Sequence, residues 1–176
     1  FVSVNKLILT CRDLFFGVKP QLYLSLNKTH SLKYYEDEAF RALVHSRIEN
    51  ISLQLSLNLS YCGGITDVSA LCEVHTLDLS CCSGITDVSA LGRVHTLDFS
   101  YCTRITDVSA LGGVHTLNLT DCPGITDVSA LGGVHTLDLS YCFCISDVSA
   151  LGGVHTLTLR GCYGITDVSA LRRVSS

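Results

Sequence analysis

Methionine and long apolar runs are both missing from this sequence of 176 residues. No stretch reaches the roughly 18 apolar residues of a membrane-spanning helix, so we expect no transmembrane segment and no membrane partner. No secretory signal pattern stands at its start. Because methionine is absent altogether, we expect the sequence to begin inside a longer product.

Lysine is absent from residues 51–176, and this part of the chain is acidic. It holds 5 Arg against 11 Asp and Glu, a net charge of −6. Residues 1–50 hold 7 Lys and Arg against 5 Asp and Glu, a net charge of +2. Contacts to phosphates require clustered Lys and Arg, so the acidic part argues against nucleic acid as a partner.

What the sequence has in abundance is repetition. Residues 63–174 repeat one phrase with a period of 20 and no insertion. Its Asp recurs at Asp67, Asp87, Asp107, Asp127, Asp147 and Asp167, and its Cys at Cys62, Cys82, Cys102, Cys122, Cys142 and Cys162. A fixed period of this size indicates a solenoid, in which each coil buries its apolar side by stacking on its neighbours. Extended surfaces of this kind favour binding over catalysis.

Residues 74–93 show how one coil is built. The stretch Thr76–Ser80 alternates polar and apolar residues, which predicts a strand with its leucines on the inner side. Further apolar residues then recur at steps of three, which is typical of a tight 3-10 turn. They are Ile85, Val88 and Leu91. Asp87 lies where its carboxylate would accept from backbone N–H groups and cap that turn.

The pattern resembles the leucine-rich repeat. Its spacing Leu-x-x-Leu-x-Leu-x-x-Cys is matched here by Val74, Leu77, Leu79 and Cys82. The match covers six coils over roughly residues 51–174, with Phe99 replacing one leucine and Gln54 replacing the first valine. The resemblance, closest to the cysteine-containing type, implies an α/β fold. It would be a right-handed solenoid with a concave parallel sheet and short helical or 3-10 turns on the convex side.

The ten cysteines do not follow a disulfide or zinc pattern. Six recur once per coil and would point the same way at about 5 Å spacing, which is poor disulfide geometry. Zinc requires four ligands that converge on one point. The resemblance implies instead that the inward Cys satisfies backbone groups of its turn. Free thiols predict a reducing, intracellular location, either cytoplasmic or nuclear.

A histidine column precedes the predicted strands, at His75, His95, His115, His135 and His155. Stacked imidazoles about 5 Å apart would share hydrogen bonds and ring contacts. Ligation of a transition metal through neighbouring coils stays open as an alternative. Mutual repulsion of the protonated rings should lower their pKa values, so folding should favour neutral histidine. A metal- or pH-responsive structural array is therefore one alternative function.

No constellation in the repeat points to an enzyme or to a cofactor. The Asp column lacks the glycine-rich nonapeptide of calcium β-rolls. Ser, His and Asp residues are copied from coil to coil, whereas a catalytic triad requires one distinct arrangement. We therefore expect a protein without catalytic activity, cofactor or resident metal.

The outward side of the strands is where the coils differ, and it is the candidate protein-binding surface. Its central positions are Asn58, Asp78, Asp98, Asn118, Asp138 and Thr158. Aromatic and acidic residues follow the strands at Tyr61, Tyr101, Asp121 and Tyr141. Aromatic side chains are favoured interface anchors, and paired aspartates suggest a basic partner. Arg104 and Arg160 break the acidic pattern and are candidates for specificity.

Residues 1–50 do not repeat and are predicted to form a helical cap ahead of the array, residues 51–176. Apolar residues at steps of three and four predict a helix over residues 4–18. Alternating leucines predict a strand over residues 22–26, and a second helix is predicted to start at Glu36–Glu38 and to reach Ile48. Strand, helix and parallel strand form a right-handed crossover, so we expect a sheet of seven strands.

The stretch Leu7–Phe15 with its Cys11-Arg12 pair, followed by Leu22-Tyr-Leu, resembles the end of an F-box. The opening Leu-Pro and first helix of that motif are missing. The resemblance implies a substrate receptor of a cullin-type ubiquitin ligase in ubiquitin-dependent protein degradation. A Skp-type adaptor would be bound through Leu7, Cys11, Leu14 and Phe15. The alternative is a free-standing binding scaffold with no ubiquitin link.

The last coil ends on Leu171, and no capping segment follows before Ser176. An open solenoid end exposes apolar groups and unpaired strand edges. We therefore expect either further sequence downstream or end-to-end association.

Overall fold

The computed structural model describes residues 23–48 and 54–171. Seven parallel strands form one sheet in the order of the sequence, as predicted. They are β1 Tyr23–Leu26, β2 Gln54–Asn58, β3 Thr76–Asp78, β4 Thr96–Asp98, β5 Thr116–Asn118, β6 Thr136–Asp138 and β7 Thr156–Thr158. Equivalent positions pair directly, for example Thr76 with Thr96, so every column of the repeat becomes a column in space.

Each coil returns to the sheet through one 3-10 turn. The turns are Ser69–Leu71, Ser89–Leu91, Ser109–Gly113, Ser129–Gly133, Ser149–Gly153 and Ser169–Leu171. Parallel strands on one side and 3-10 turns on the other confirm the predicted leucine-rich-repeat solenoid of the α/β class. No helix in the described ranges is long and apolar enough to cross a membrane.

The core lies between the sheet and the turns, and it is built from stacked columns. Leu77 and Leu79 of the strand side and Val88 and Leu91 of the turn side are all buried. Phe99 takes the place of a leucine and is fully buried as well. Burying a side chain of this size stabilises the fold by about 1.5–3 kcal/mol. Each coil obtains this burial from its two neighbours, which makes the array mutually dependent.

The segment before the array differs from the sequence prediction in one element. Strand β1 is confirmed, and the predicted helix over residues 4–18 lies outside the described ranges. Two helices follow β1, where one was predicted: α1 Lys28–Glu36 and α2 Glu38–Ile48. The Asn27 side chain caps α1 by accepting the His30 N–H at 3.0 Å. Asp37 is extended and ends α1, and its carboxylate caps α2 by accepting the Phe40 N–H at 2.9 Å.

Helix α1 was missed because it has almost no apolar face. Only Ser31 and Tyr34 are buried among its residues. The Ser31 hydroxyl donates to the Leu26 carbonyl and accepts the Asn58 N–H, each at 3.1 Å, so it joins β1 to β2. The Tyr34 hydroxyl contacts His45 Nε2 at 2.6 Å and joins α1 to α2. Polar contacts between elements, which a periodicity search cannot detect, therefore hold α1 in place.

Candidate binding surface

The strand face is the outward side of β2–β7 together with the residue that follows each strand by three positions. Its central row consists of Asn58, Asp78, Asp98, Asn118, Asp138 and Thr158, one on each strand. Asp78 and Asp98 are direct partners in the register of β3 and β4. Adjacent strands lie about 4.8 Å apart, so two carboxylates stand side by side at the centre of this surface.

Hydrogen bonds hold these two carboxylates in fixed orientations. Asp78 Oδ1 accepts the Ser80 N–H at 3.0 Å and the Ser80 hydroxyl at 2.7 Å. Asn58 Nδ2 donates to Asp78 Oδ2 at 2.9 Å. From the other side, Asn118 Nδ2 donates to Asp98 Oδ2 at 3.1 Å. The row is thus a pre-oriented Asn-Asp-Asp-Asn array with a net negative charge.

No cation of the chain neutralises this row in the ranges that the structure describes. The one ion pair found there joins His45 Nδ1 to Glu73 Oε2 at 3.6 Å, and it lies at the N-terminal part. Asp138 accepts the Ser140 N–H at 2.8 Å and forms no ion pair with the described residues. The central row therefore offers its negative charge to solvent or to a partner.

The edge row, which follows the strands, adopts a left-handed backbone conformation that the sequence did not reveal. Its φ angles are 58° at Tyr61, 59° at Cys81, 62° at Tyr101, 55° at Asp121, 61° at Tyr141 and 73° at Gly161. Except at Gly161, the backbone N–H of each residue in this row donates to a carbonyl of the next coil. The Tyr101 N–H, for example, donates to the Thr120 carbonyl at 2.8 Å. The conformation costs a residue with a side chain about 1–2 kcal/mol. Gly161 was the only sequence signal for it.

Exposed tyrosines stand along this edge row. Tyr61 is 75% exposed and Tyr101 is 52% exposed. Lys28 of α1 places its Nζ 5.7 Å from the centroid of the Tyr61 ring. The structure thus brings the predicted edge residues and the central row onto one surface, whereas Arg104 lies exposed in the turn beyond Cys102.

The cysteine ladder is structural. Each buried Sγ donates to a carbonyl of the preceding coil at 3.0–3.2 Å. Burial raises the pKa of Cys82 and Cys142 to about 11 and of Cys102 and Cys122 to about 12. These thiols therefore tie coils together, as the resemblance implied, and stay protonated at neutral pH.

The rate of alkylation should distinguish the buried thiols of the core from the exposed ones. With iodoacetamide at neutral pH, we expect the exposed Cys72 and Cys144 to react first. The buried Cys82, Cys102, Cys122 and Cys142 should react at least about a hundredfold more slowly, because the thiolate is the reacting species. Peptide mapping by mass spectrometry measures each site, and the urea-unfolded chain serves as the control. Equal rates for Cys102 and Cys144 in the folded protein would contradict the burial.

The histidine column forms the stacked ladder that its spacing predicts. Ring centroids of successive histidines from His75 to His155 lie 4.5–4.6 Å apart. Burial, with a smaller effect of His95, lowers the pKa of His75. Burial and then the neighbouring rings lower that of His135. The first four rings are nearly parallel, so their in-plane lone pairs do not converge on one ion. Among the described residues no group of three or more side chains is placed to hold a metal.

Stability should therefore fall as His75 and His135 become protonated. The pKa of His135 is lower in the folded protein than in the unfolded chain, so the unfolded chain binds more protons just below its own pKa of about 6.5. We expect the melting temperature to decrease as the pH falls below about 6.5. The variant His135→Gln should lose less over the same range. An unchanged melting temperature between neutral and mildly acidic pH would contradict this, and a rise on adding Zn²⁺ or Ni²⁺ would instead favour a metal-binding ladder.

The Asp column on the turn side is accounted for by hydrogen bonds at the start of each 3-10 turn, although the N-cap residue is the Val that follows each Asp and not the predicted Asp, as at Val68 and Val88. Each carboxylate accepts the N–H of the Ser two residues later at 2.8–2.9 Å. These bonds lower the pKa of the column, as at Asp67 and Asp107. Shallow clefts of about 200–230 Å³ open between successive Asp residues and repeat with the coils. They are copies of one structural feature and show no distinct site.

Comparison with known proteins leaves the family open. No protein-family model matches the chain, and no curated protein does. Among solved structures, the chain is similar to the functional domain of InlJ from Listeria monocytogenes, which includes a cysteine ladder. The two are 22% identical with a TM-score of 0.38, over 70% of this chain and 43% of that one. The chain thus spans less than half of that domain, and its fold assignment rests on its own repeat geometry.

Proposed function

We propose that the strand face binds a protein segment that carries basic side chains. The observation that supports this most directly is the Asp78–Asp98 pair on adjacent strands, which forms no ion pair with any residue in the described ranges. Two carboxylates on adjacent strands, which lie about 4.8 Å apart, repel each other, so a Lys or Arg placed over both would be favoured. Because Asn and Ser side chains already orient the carboxylates, little conformational entropy is lost on binding.

The edge row supports the same proposal from a different observation. A tyrosine in the left-handed region is strained relative to glycine, and Gly161 occupies the equivalent position in the last coil. Strain that persists at exposed positions is characteristic of functional surfaces. Exposed Tyr61 and Tyr101 would therefore provide aromatic anchors beside the acidic centre.

Peptide selection tests the basic-partner proposal and requires no named partner. A random peptide library displayed on phage would be selected on the wild-type protein, and each enriched peptide would be measured on variants. In Asp78→Asn/Asp98→Asn, Asn is the residue of the equivalent positions 58 and 118, so folding should be retained. The control Asp87→Asn/Asp107→Asn removes the same charge from the turn side. We expect peptides rich in Lys and Arg whose affinity falls at least tenfold in the first variant only. Neutral peptides, or equal losses in both variants, would refute the proposal.

The variant Tyr101→Gly should weaken peptide binding without lowering the stability of the fold. Glycine relieves the left-handed strain, so we expect the free energy of unfolding to stay equal or to rise by up to about 1 kcal/mol. Binding of the selected peptides should weaken, because the exposed ring is lost. Cys81→Gly is the matched control, with the same relief of strain and no ring removed. Urea unfolding and fluorescence anisotropy measure the two effects. Loss of stability in Tyr101→Gly would show that the tyrosine is structural.

We further propose that this surface selects substrates for an F-box-type ubiquitin ligase. The resemblance in Leu7–Phe15 supports this, and those residues lie outside the described ranges. The test is co-purification of a Skp-type adaptor with the full-length protein and its loss in Leu14→Asp. A full-length protein that retains peptide binding but not the adaptor would be a free-standing scaffold.

A further inference from the structure

The last two described coils depart from the repeat at a group of exposed residues that lie together. The positions of Phe143 and Tyr163 hold small residues in the earlier coils, at Gly63, Ser83, Thr103 and Pro123. The position of Arg160 holds a hydroxyl residue in every earlier coil, at Ser60, Ser80, Ser100, Thr120 and Ser140. Since the other coils fold without these larger side chains, the fold does not require them.

These residues build one platform, which we call the Arg160 platform: Tyr141, Phe143, Arg160 and Tyr163. Arg160 Cζ lies 5.6 Å from the centroid of the Tyr141 ring. The Phe143 ring meets Tyr141 edge-on at 6.3 Å, and it stacks with Tyr163 at 6.3 Å with an interplanar angle of 11°. The guanidinium therefore lies over the Tyr141 ring, which contacts Phe143, and Phe143 in turn stacks with Tyr163.

Gly161 makes room for this arrangement. A Cβ atom at position 161 would lie 2.6 Å from Tyr141 Cδ1 and 2.9 Å from Cε1. In the preceding coils this position carries a side chain, as in Tyr101 and Asp121. The absence of a side chain at Gly161 lets the Tyr141 ring lie against the next coil, directly beneath Arg160.

The platform is both apolar and positively charged, and it is open to solvent. Phe143 is 47% exposed and Tyr163 is 83% exposed. Arg160 is exposed, and no carboxylate pairs with it in the described part of the chain. Its own coil carries Thr158 in the central row, where β3, β4 and β6 carry aspartate. An unpaired guanidinium on one aromatic ring, with two exposed rings stacked beyond it, matches a carboxylate that lies beside an apolar side chain.

We infer that the Arg160 platform is a second binding position, which takes a carboxylate side chain and an apolar neighbour from the segment bound to the strand face. The inference rests on the proposed function, because it places the acidic part of the same partner segment. Asp98 on β4 and Arg160 just after β7 are three strand steps apart in the sheet. At about 4.8 Å per step the separation along the sheet is about 14 Å. An extended segment covers this in about four residues, so the partner carries opposite charges about four residues apart.

Small peptide probes test the two positions separately. The acidic probe is acetyl-Leu-Glu-Leu amide, the neutral one replaces Glu by Gln, and the basic one is acetyl-Lys-Ser-Lys amide. Amide NMR signals of Gly161 and Tyr163 report on the platform, and that of Ser100 reports on Asp98. Linked probes join the basic and acidic parts at spacings of about four and about two residues. The variant Arg160→Ser restores the residue of other coils, and the control Arg93→Gly removes an exposed charge from the turn side, where the next three coils carry glycine.

We expect the acidic probe to shift Gly161 and Tyr163, and to bind about tenfold more weakly to Arg160→Ser but equally to Arg93→Gly. The linked probe with the longer spacing should bind at least tenfold more tightly than the shorter one. Equal binding of the neutral probe, or equal losses in both variants, would overturn the inference. If the basic probe shifts the Ser100 amide signal while the acidic probe leaves the Gly161 signal unchanged, the platform is refuted and the proposed function stands. If the acidic probe shifts the Gly161 signal but the basic probe leaves the Ser100 signal unchanged, the platform is supported as a carboxylate site. The basic-partner proposal and the four-residue spacing are then both overturned.

Discussion

Substitution of Leu117 by asparagine is expected to destabilise the protein by about 3–8 kcal/mol. Leu117 lies at the centre of β5 and is 1% exposed. Losing a buried leucine costs about 2–5 kcal/mol, and the buried amide of asparagine adds about 1–3 kcal/mol when it finds no partner. Urea unfolding followed by circular dichroism measures the loss. Because coils contact only their neighbours, the transition should also divide into two steps.

The neighbouring position supplies the matched control. Asn118→Leu makes the reverse exchange one residue later, on the outward side of the same strand. It removes the hydrogen bond from Asn118 Nδ2 to Asp98 and the two that Asn118 Oδ1 accepts from the Thr120 N–H and hydroxyl. Because the position is partly open to water, which can replace these partners, we expect a loss of no more than about 2 kcal/mol. Similar losses of unfolding free energy in both variants would contradict the assignment of Leu117 to the buried side of the sheet and of Asn118 to the outward side.

The second large effect is expected at Phe99, which replaces the leucine of the repeat in β4's coil. Its ring is fully buried, so Phe99→Ala should cost about 3–5 kcal/mol through lost burial and a cavity. Phe99→Leu restores the residue of the other coils and should cost less than about 1.5 kcal/mol. Differential scanning calorimetry and urea unfolding of the two variants measure the difference. A loss in Phe99→Leu as large as in Phe99→Ala would mean that neighbouring coils have adapted to the ring.

The repeat made most of the array predictable, because a period of constant length places equal residues in register. Leu77 and Cys82 were predicted to face inward and are buried. The Asp column was predicted to accept from backbone N–H groups at the start of the turns, and Asp87 accepts the Ser89 N–H at 2.9 Å, although the N-cap residue itself is Val88. These features depend on spacing within one coil and on stacking against its copies, and both are visible in the sequence.

Two features could not be predicted in this way. Helix α1 was missed because its buried residues, Ser31 and Tyr34, are held by bonds to other elements. The left-handed backbone at Tyr101 was missed because tyrosine does not favour it. There, the N–H bond to the Thr120 carbonyl and the return of Cys102 to the core hold the turn, and both need the adjacent coil in place.

For the candidate surface, too, one part could be predicted from the sequence and another could not. Its residues were predicted, since alternation in a strand determines which side chains face outward. Their arrangement was not, because it depends on contacts between coils. The Asn-Asp-Asp-Asn hydrogen bonds join residues 20 positions apart, and Arg160 meets the Tyr141 ring only because the two coils stack.

By itself, the sequence determined the solenoid, its buried columns and the identity of the exposed rows. Short-range periodicity and the burial of apolar side chains are enough for that, because every coil meets the same environment. Only the tertiary structure determined the backbone strain of the edge row, the orientation of the paired carboxylates and the contacts of the Arg160 platform. All three depend on contacts between neighbouring coils, and these contacts join residues that only the stacking of the coils brings together.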